Sequence, residues 1–372
     1  MTRADTERFD RRDLTFHPLG ERLNKVEIER DHIDPDSPVA ALGAQAAESI
    51  SDLGNAIRRA KSAGAARMLA FGAHTIKNGL SPVLIRLAEG GWLTHLATNG
   101  AGIIHDWEFA FAGASSEDVR ANVAEGTFGA WEETGRWINL ALVLGAYDGL
   151  GYGASVGRMA DTERLVVPPR DALLSEASET IDSDPFRAAA AADVLGVMRE
   201  LGIDGGEISL PHPFKRFGLQ AAAWRLGIPF TGHPMFGHDI IYEHPANCGA
   251  AVGRTAERDF LSFASSVQQL QGGVYLSVGS AVMSPMVFEK TLSMARNIAL
   301  RRGGGIDDFL IVVVDLAPSS WDWSKGEPPE THPDYYLRFN KTFARMGGRV
   351  RYVSGDNRAI LPALLHALEG VS

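Results

Sequence analysis

The sequence holds a single cysteine, Cys248, among 372 residues. Such a chain closes no intrachain disulfide and builds no thiolate zinc site. It has no basic cluster either: 36 Lys and Arg stand against 46 Asp and Glu, a formal net charge of -10. A phosphate backbone needs a positive footprint, so nucleic acid is not an expected partner. A small cationic ligand suits that balance. No apolar run approaches the roughly 20 residues that span a bilayer, and Met1 to Arg12 are polar, without the apolar core of a leader. No membrane partner is therefore expected, and the cytoplasm is the default compartment. Also absent are a serine nucleophile elbow and a phosphate loop ending in Gly-Lys-Ser/Thr, the central parts of hydrolase and nucleotide-triphosphatase readings.

What is present is the material of an ordinary globular core, 45% hydrophobic and 22% charged. Residues 1 to about 40 carry Pro18, Pro35 and Pro38 and read as an arm or cap. From 41 to 372 short apolar runs alternate with helical patterns. The strands expected are Arg67–Phe71, Leu93–Thr98, Ile228–Thr231, Gly273–Val278, Phe309–Asp315 and a last one near Val350–Val353, with helices between them. The segment 116–201 is mostly helical and reads as an excursion from this alternation. Alternating strands and helices give parallel βαβ units, so the expectation is one α/β domain, doubly wound, with a mainly parallel sheet and helices on both faces.

Ligands of such sheets bind outside the carboxyl ends of the strands. Those ends here are Gly72-Ala73-His74, Asn99 to Gly102, His233 to Asp239, Ser277 to Ala281, Asp315 to Ser319 and Ser354 to Asn357. Glycine lets backbone approach a ligand, and the polar residues supply its hydrogen bonds. Thr98-Asn99-Gly100-Ala101-Gly102, followed by His105-Asp106, combines a strand end, a small-residue turn and an ionisable pair. Its bland reading is a tight turn with Asp106 in the first helical turn, where its charge suits the dipole.

Three other stretches carry chemistry-bearing residues. Gly151-Tyr152-Gly153 to Gly157 mimics a dinucleotide fingerprint, but its last glycine is one residue late and no strand clearly precedes it, so it reads as a loop or helix cap. His233, His238, Asp239 and His244 supply imidazole and carboxylate at a strand end, yet match no standard metal spacing. No metal is expected there, and a polar pocket using His238 or Asp239 is the preferred reading. The stretch from Ala317 to Asp334 has the length and composition of a lid, and beyond it Lys341 follows several aromatics. A lysine in such a pocket can form imines, whereas its bland reading is a solvated helix lysine.

Together the strand-end segments resemble the deoxyhypusine synthase family, in pieces from about residue 65 to the C-terminus. The segments that carry the likeness are Gly72 to Gly79, Thr98 to Gly102, Gly272-Gly273-Val274, Pro333 to Lys341, and Val353 to Pro362. The family's enzymes are NAD-dependent homotetramers that transfer an aminobutyl group from spermidine to a protein lysine through a lysine imine. The resemblance implies an NAD-binding fold, with Gly72, His74, Asn99, Gly100, Gly102, Asp106, Ser280, Asp315, Asp356 and Asn357 at the cofactor. It implies catalysis through Lys341; the residues themselves offer His105 or His238 as the base, with Asp239 beside them as a further catalytic candidate. The chain departs from the family at Ser277 and Val278, where paired histidines stand, at Tyr335, which replaces a polyamine-holding acid, and at Phe339, which replaces a tryptophan. The NAD framework is matched better than the spermidine pocket. The expectation is an NAD-dependent, homo-oligomeric enzyme that oxidises a small amine or amino acid to an imine, with alkylamine transfer through Lys341 as an added step. The alternatives are an NAD- or metabolite-binding protein without chemistry and, ranked last, a His/Asp metal hydrolase.

Overall fold

The structure, a computed structural model, describes residues 9–370. Met1 to Arg8 of the expected arm lie outside the described residues, as do Val371 and Ser372. Six strands form the main sheet: β1 (Arg67–Phe71), β2 (His95–Asn99), β3 (Phe230–His233), β4 (Gly273–Val278), β5 (Phe309–Asp315) and β6 (Arg349–Ser354). All are parallel, in the order β6-β5-β4-β1-β2-β3. β5 shows why the sheet forms. Its run Phe-Leu-Ile-Val-Val-Val is buried at every position, the signature of a parallel strand covered on both faces.

Successive side chains alternate between two cores. Leu69, Phe71, Leu276, Val312 and Val314 enter the first, while Met68, Ala70, Tyr275, Ile311 and Val313 enter the second. The labelled helices are α1 (Ala44–Ser62), α2 (Ala73–Lys77), α3 (Ser81–Glu89), α4 (Gly100–Ala112), α5 (Tyr152–Thr162), α6 (Leu219–Leu226), α7 (Gly249–Val267), α8 (Met283–Arg301), α9 (Arg338–Ala344) and α10 (Asn357–Glu369). The first core is closed by α1, α3, α4 and α10, and the second by the C-terminal half of α7 with α8 and α9. The fold is α/β and doubly wound.

Three features refine the sequence reading. The excursion is longer than 116–201, for everything between α4 and β3 lies outside the main sheet. It also contains strand: Ala114–Glu117 pairs antiparallel with Asn24–Glu27, and Arg164–Val167 with Gly206–Ser209. These four-residue strands are too short to declare themselves by alternation. Nor do the described residues of the arm stand free. Leu19, Arg22 and Ile28 are buried against the chain's own excursion and α4. The expected lid is tied down as well: Trp323 enters the second core, and the Asp334 carboxylate accepts from the backbone N–H groups of Ser320 and Trp321, both at 2.8 Å.

Candidate functional site

From β1 the chain works outward through β2 to β3, then crosses back and works the other way through β4, β5 and β6. The carboxyl ends of β1 and β4 therefore form the point where the winding reverses, the place where such sheets leave a crevice. Gly72 and Gly279 meet there. Gly72 has an ordinary extended conformation (φ -82, ψ 162). It is required by space, because a Cβ on it would overlap the Gly279 carbonyl oxygen and lie 3.0 Å from the carbonyl carbon. Gly279 is required by conformation, with φ +56 and open space around it.

On one side of this point lies a cavity of about 410 Å³ whose lining includes His74, Gly279, Asp315, Asp356, Asn357 and Arg358. Five of the sequence-expected cofactor residues thus meet at or beside one opening: Gly72, His74, Asp315, Asp356 and Asn357. Their polar groups are partly spent on the fold. Asp315 Oδ1 accepts from the Ala317 N–H at 3.0 Å, and no described group bonds its other oxygen. Asp356 caps α10 and pairs with Arg358 at 2.7 Å, whose hydrogen bonds hold the carboxyl below its usual range. Asn357 accepts from Asn78 at 2.8 Å and donates to Thr75. Ser280 stands beside the crevice, accepting from the Ser284 N–H at 3.2 Å.

On the other side, beneath the ends of β2 and β3, a cavity of about 170 Å³ brings together His105, His238 and Asp239 with Arg22, Lys77 and Glu108. Its floor is a buried chain of hydrogen bonds. Arg22 forks onto Glu108 at 2.8 and 2.6 Å, and Thr134 donates to the same carboxylate at 2.9 Å. Burial opposes ionisation of Glu108 most strongly, but the Arg22 charge and hydrogen bonds, with His105 and Ser115, together outweigh it and hold the carboxyl below its ordinary range. The Ser115 hydroxyl donates to this carboxylate, and His105 Nδ1 lies 2.7 Å from the Ser115 oxygen. A hydroxyl has one proton to give, so the pattern assigns the His105 proton to Nδ1 and leaves Nε2 as the basic nitrogen. Burial pushes His105 down to about 4, with the charges of Lys77 and Arg22 adding to it and Glu108 working against it, so the ring is neutral at pH 7. Ser116, on the cavity wall, has φ +75, a left-handed backbone uncommon outside glycine.

Asp239 is 8% exposed. Its carboxylate takes the space that a side chain on Gly100 would need, with a Cβ there only 2.6 Å from Oδ1. Burial raises its pKa to about 6. Nearby, burial and the charge of Glu117 raise Glu243 to about 7.

Other expected residues are occupied elsewhere. Asn99 caps α4, accepting from the Gly102 N–H at 2.9 Å. Gly102 makes room for Thr98, since a Cβ on it would be 3.0 Å from Cγ2. Asp106 is turned into the core, where it accepts from the N–H groups of Leu219 and Gln220 at 2.8 and 2.9 Å and so caps α6. The bland reading puts it in the first turn of its own helix; it lies instead in the middle of α4 and its charge serves the start of α6. It is not free to meet a cofactor. Lys341 lines neither cavity: its ammonium lies over the Tyr335 ring at 3.3 Å and 3.7 Å from Glu327. The fingerprint-like glycines belong to α5. Gly153 and Gly157 allow close approach to Phe230 and Gln220, and Asp259 fills the anion position at the helix start by accepting from the Gly153 N–H at 2.9 Å. The histidines at and after the end of β3 diverge, His233 toward Thr231 and His244 toward Glu132. Among the described residues no group of three or more His, Cys, Asp or Glu side chains is placed to hold a metal.

Sequence reasoning missed Arg22, Lys77, Glu108 and Ser115. Arg22 sits in the arm and Ser115 in a strand of four residues, so neither follows a recognisable strand end. Glu108 was within reach: it follows His105 by three residues on α4, which puts both on one helix face.

No family model matches the chain, and no curated protein matches it. Among solved structures it is similar in fold to the arginine dihydrolase ArgZ from the ornithine-ammonia cycle in cyanobacteria, at 14% identity and a TM-score of 0.44, over 87% of this chain and 33% of that one. It is also similar to AgrE in its ternary complex with ornithine and NAD+, at 13% identity and a TM-score of 0.43, over 90% and 34%. A protein from Entamoeba histolytica described as a deoxyhypusine synthase aligns at 10% identity and a TM-score of 0.42, over 88% and 90%. The chain spans about a third of the length of the ArgZ and AgrE chains it matches. These are likenesses of fold, and no helix among the described residues is long and apolar enough to cross a membrane.

Proposed function

We propose that the protein is an NAD-dependent enzyme acting on a small amine or amino acid. One observation carries the reading: the sheet reverses its winding at the Gly72–Gly279 contact, with a larger polar cavity on one side and a smaller one holding a neutral imidazole on the other. The larger cavity has the lining for the adenosine end. Asp315 offers a carboxylate oxygen for sugar hydroxyls, and the missing Cβ of Gly72 lets a ligand lie directly on backbone. The smaller cavity takes the amine to be oxidised. NAD, when bound, supplies the hydride acceptor that turns an amine into an imine.

The chain's own part is to position the amine and take its proton. His105 Nε2 points its lone pair away from the Ser115–Glu108–Arg22 chain, which fixes the ring's tautomer. Asp239 holds a partly desolvated carboxylate at the same cavity. Lys341 is not needed for this step, so the reading is amine oxidation rather than alkylamine transfer. A homotetramer belongs to the same reading.

Native mass spectrometry followed by titration with NAD tests it. Saturable binding of NAD by each subunit, then NADH absorbance with members of an amine and amino-acid panel, is the expected result. NAD binding without NADH across the panel would leave a metabolite-binding protein. Folded protein that binds no NAD overturns the reading.

A further inference from the structure

Five formally charged side chains line the smaller cavity: Arg22, Lys77, Glu108, Glu117 and Asp239. Three of them are already answered by the protein. Arg22 and Glu108 neutralise each other. Glu117 accepts from the side chains of Asn122 and Trp131 at 2.6 and 3.0 Å and from the Gly129 N–H at 3.3 Å. Lys77 and Asp239 are not answered. Among the described residues neither has an ion-pair partner, and they do not pair with each other. The Lys77 ammonium makes no hydrogen bond there, and Asp239 Oδ2, sealed from solvent, has none of good geometry, with only the Tyr242 hydroxyl and the Met235 backbone near enough to ease its charge. Burial pushes Lys77 down, with the charge of Lys25 adding to it, and pushes Asp239 up to about 6. Each group would be relieved by an opposite charge. One cavity thus holds an unpaired cation and an unpaired carboxylate, the complement of a molecule carrying both an ammonium and a carboxylate.

The balance of charge says more. Two cations face three carboxylates in this lining, an excess of one negative charge. Glu243, whose carboxylate lies against Gly129 next to Glu117, adds a further acid that burial and then repulsion from Glu117 make ready for a cation. A ligand with net positive charge meets that excess, and a neutral zwitterion does not. The size agrees: at about 30 Å³ per water molecule, the 170 Å³ cavity holds roughly six waters, the room of a small amino acid and far too little for a dinucleotide.

We propose that this cavity binds a basic α-amino acid, with its carboxylate on Lys77, its α-ammonium on Asp239 and its side-chain cation toward Glu117 and Glu243. The proposal rests on the amine-oxidising reading and narrows it to a substrate class, and it is testable without turnover. The experiment is calorimetric titration, with and without saturating NAD, using four probes of one length. L-ornithine carries all three charges, putrescine lacks the carboxylate, L-norvaline lacks the side-chain amine and 5-aminopentanoate lacks the α-amine. Ornithine should bind tighter than each of the others by about tenfold or more, the usual weight of one charged contact.

Two variants assign the contacts. Lys77→Met should weaken ornithine by about tenfold or more while leaving putrescine unchanged. Asp239→Asn should weaken ornithine and norvaline and leave 5-aminopentanoate unchanged. Both variants must melt with the parent protein to count, and Lys77, half-buried on the surface of α2, is the safer of the two. Ornithine bound no tighter than putrescine, or no probe bound at all, overturns the proposal. NAD binding with no preference among the probes removes this inference alone. Ornithine selected by a protein that binds no NAD removes the oxidoreductase reading and leaves the amino-acid site standing.

Discussion

Replacing Gly72 by alanine puts the switch-point argument at risk most directly. The backbone at Gly72 is one that any residue adopts, so alanine brings no conformational penalty and, by restricting the unfolded chain, would stabilise the fold by about 0.4–1 kcal/mol if there were room. There is none. The new Cβ overlaps the Gly279 carbonyl oxygen and stands 3.0 Å from its carbon, where carbon atoms settle at about 3.5–4.0 Å. Both obstructing atoms are backbone, so the ends of β1 and β4 must part by about half an ångström or more. Overpacking of this kind costs about 1–3 kcal/mol. The net loss is then up to about 2.5 kcal/mol, a fall of up to a few degrees in Tm for a chain of this length. Because the shift occurs where the dinucleotide is placed, NAD should bind about tenfold more weakly. Gly279→Ala is the matched control: it has open space but φ +56, so it pays about 1 kcal/mol in conformation without moving β1. Thermal melting and NAD titration of both variants decide the matter. If Gly72→Ala melts at or above the parent temperature and binds NAD with unchanged Kd, the crevice does not lie at this contact and the placement of the cofactor fails.

Two further outcomes follow from buried charge. Glu108→Gln leaves the Arg22 guanidinium buried without its counter-charge and should cost about 3–5 kcal/mol, read by denaturant unfolding; a loss below 1 kcal/mol would mean that the arm is not held by this pair. His95 and His233 are linked through the Thr231 hydroxyl, each at 3.0 Å, and burial depresses them to about 3 and about 4. A histidine kept neutral in the fold gives stability that is complete above the unfolded pKa of about 6.5 and is lost as pH falls toward the folded value. The wild type should therefore lose stability relative to His233→Gln between pH 6.5 and 4, at up to about 1.4 kcal/mol per pH unit. Asp239 and Asp259, raised to about 6 and about 7, slope the other way but are present in both proteins and cancel in the comparison. A constant difference across that range would show that His233 is not sealed.

The fold was legible where one physical rule acts on a contiguous run. β5 announces itself because a parallel strand buried on both faces must be apolar throughout, and the alternation of such runs with helices implies the doubly wound sheet. The excursion was harder to bound because its strands are four residues long and pair antiparallel with distant segments, one of them in the arm. The polar strand ends pointed to the crevice, and five residues expected at a cofactor do gather at one opening. Asn99, Gly102 and Asp106 show the limit of that reasoning. Each has the residue type a ligand would want, yet each already serves a neighbour in the fold, and a sequence does not reveal whether a hydrogen-bonding group has been spent.

The same principle separates the two faces of the site's chemistry. Lys341 looked reactive because lysine and aromatics fall together in sequence, but the structure gives its charge to Glu327 and the Tyr335 ring, outside either cavity. Lys77 carried no such signal, being a lone lysine at the end of a five-residue helix. It gains significance only through what surrounds it: partial burial, no partner among the described residues, and an equally unpartnered Asp239 across the same cavity. A functional charge in this protein is therefore better recognised by unmet demand than by motif. Asp259 marks the contrast, buried more deeply than Asp239 and with its pKa raised to about 7, yet supplied with backbone N–H groups from Gly153 and Gly232 and hence structural. A raised pKa alone does not separate Asp239 from Asp259. The missing partners do, and they are what an added ligand would have to provide.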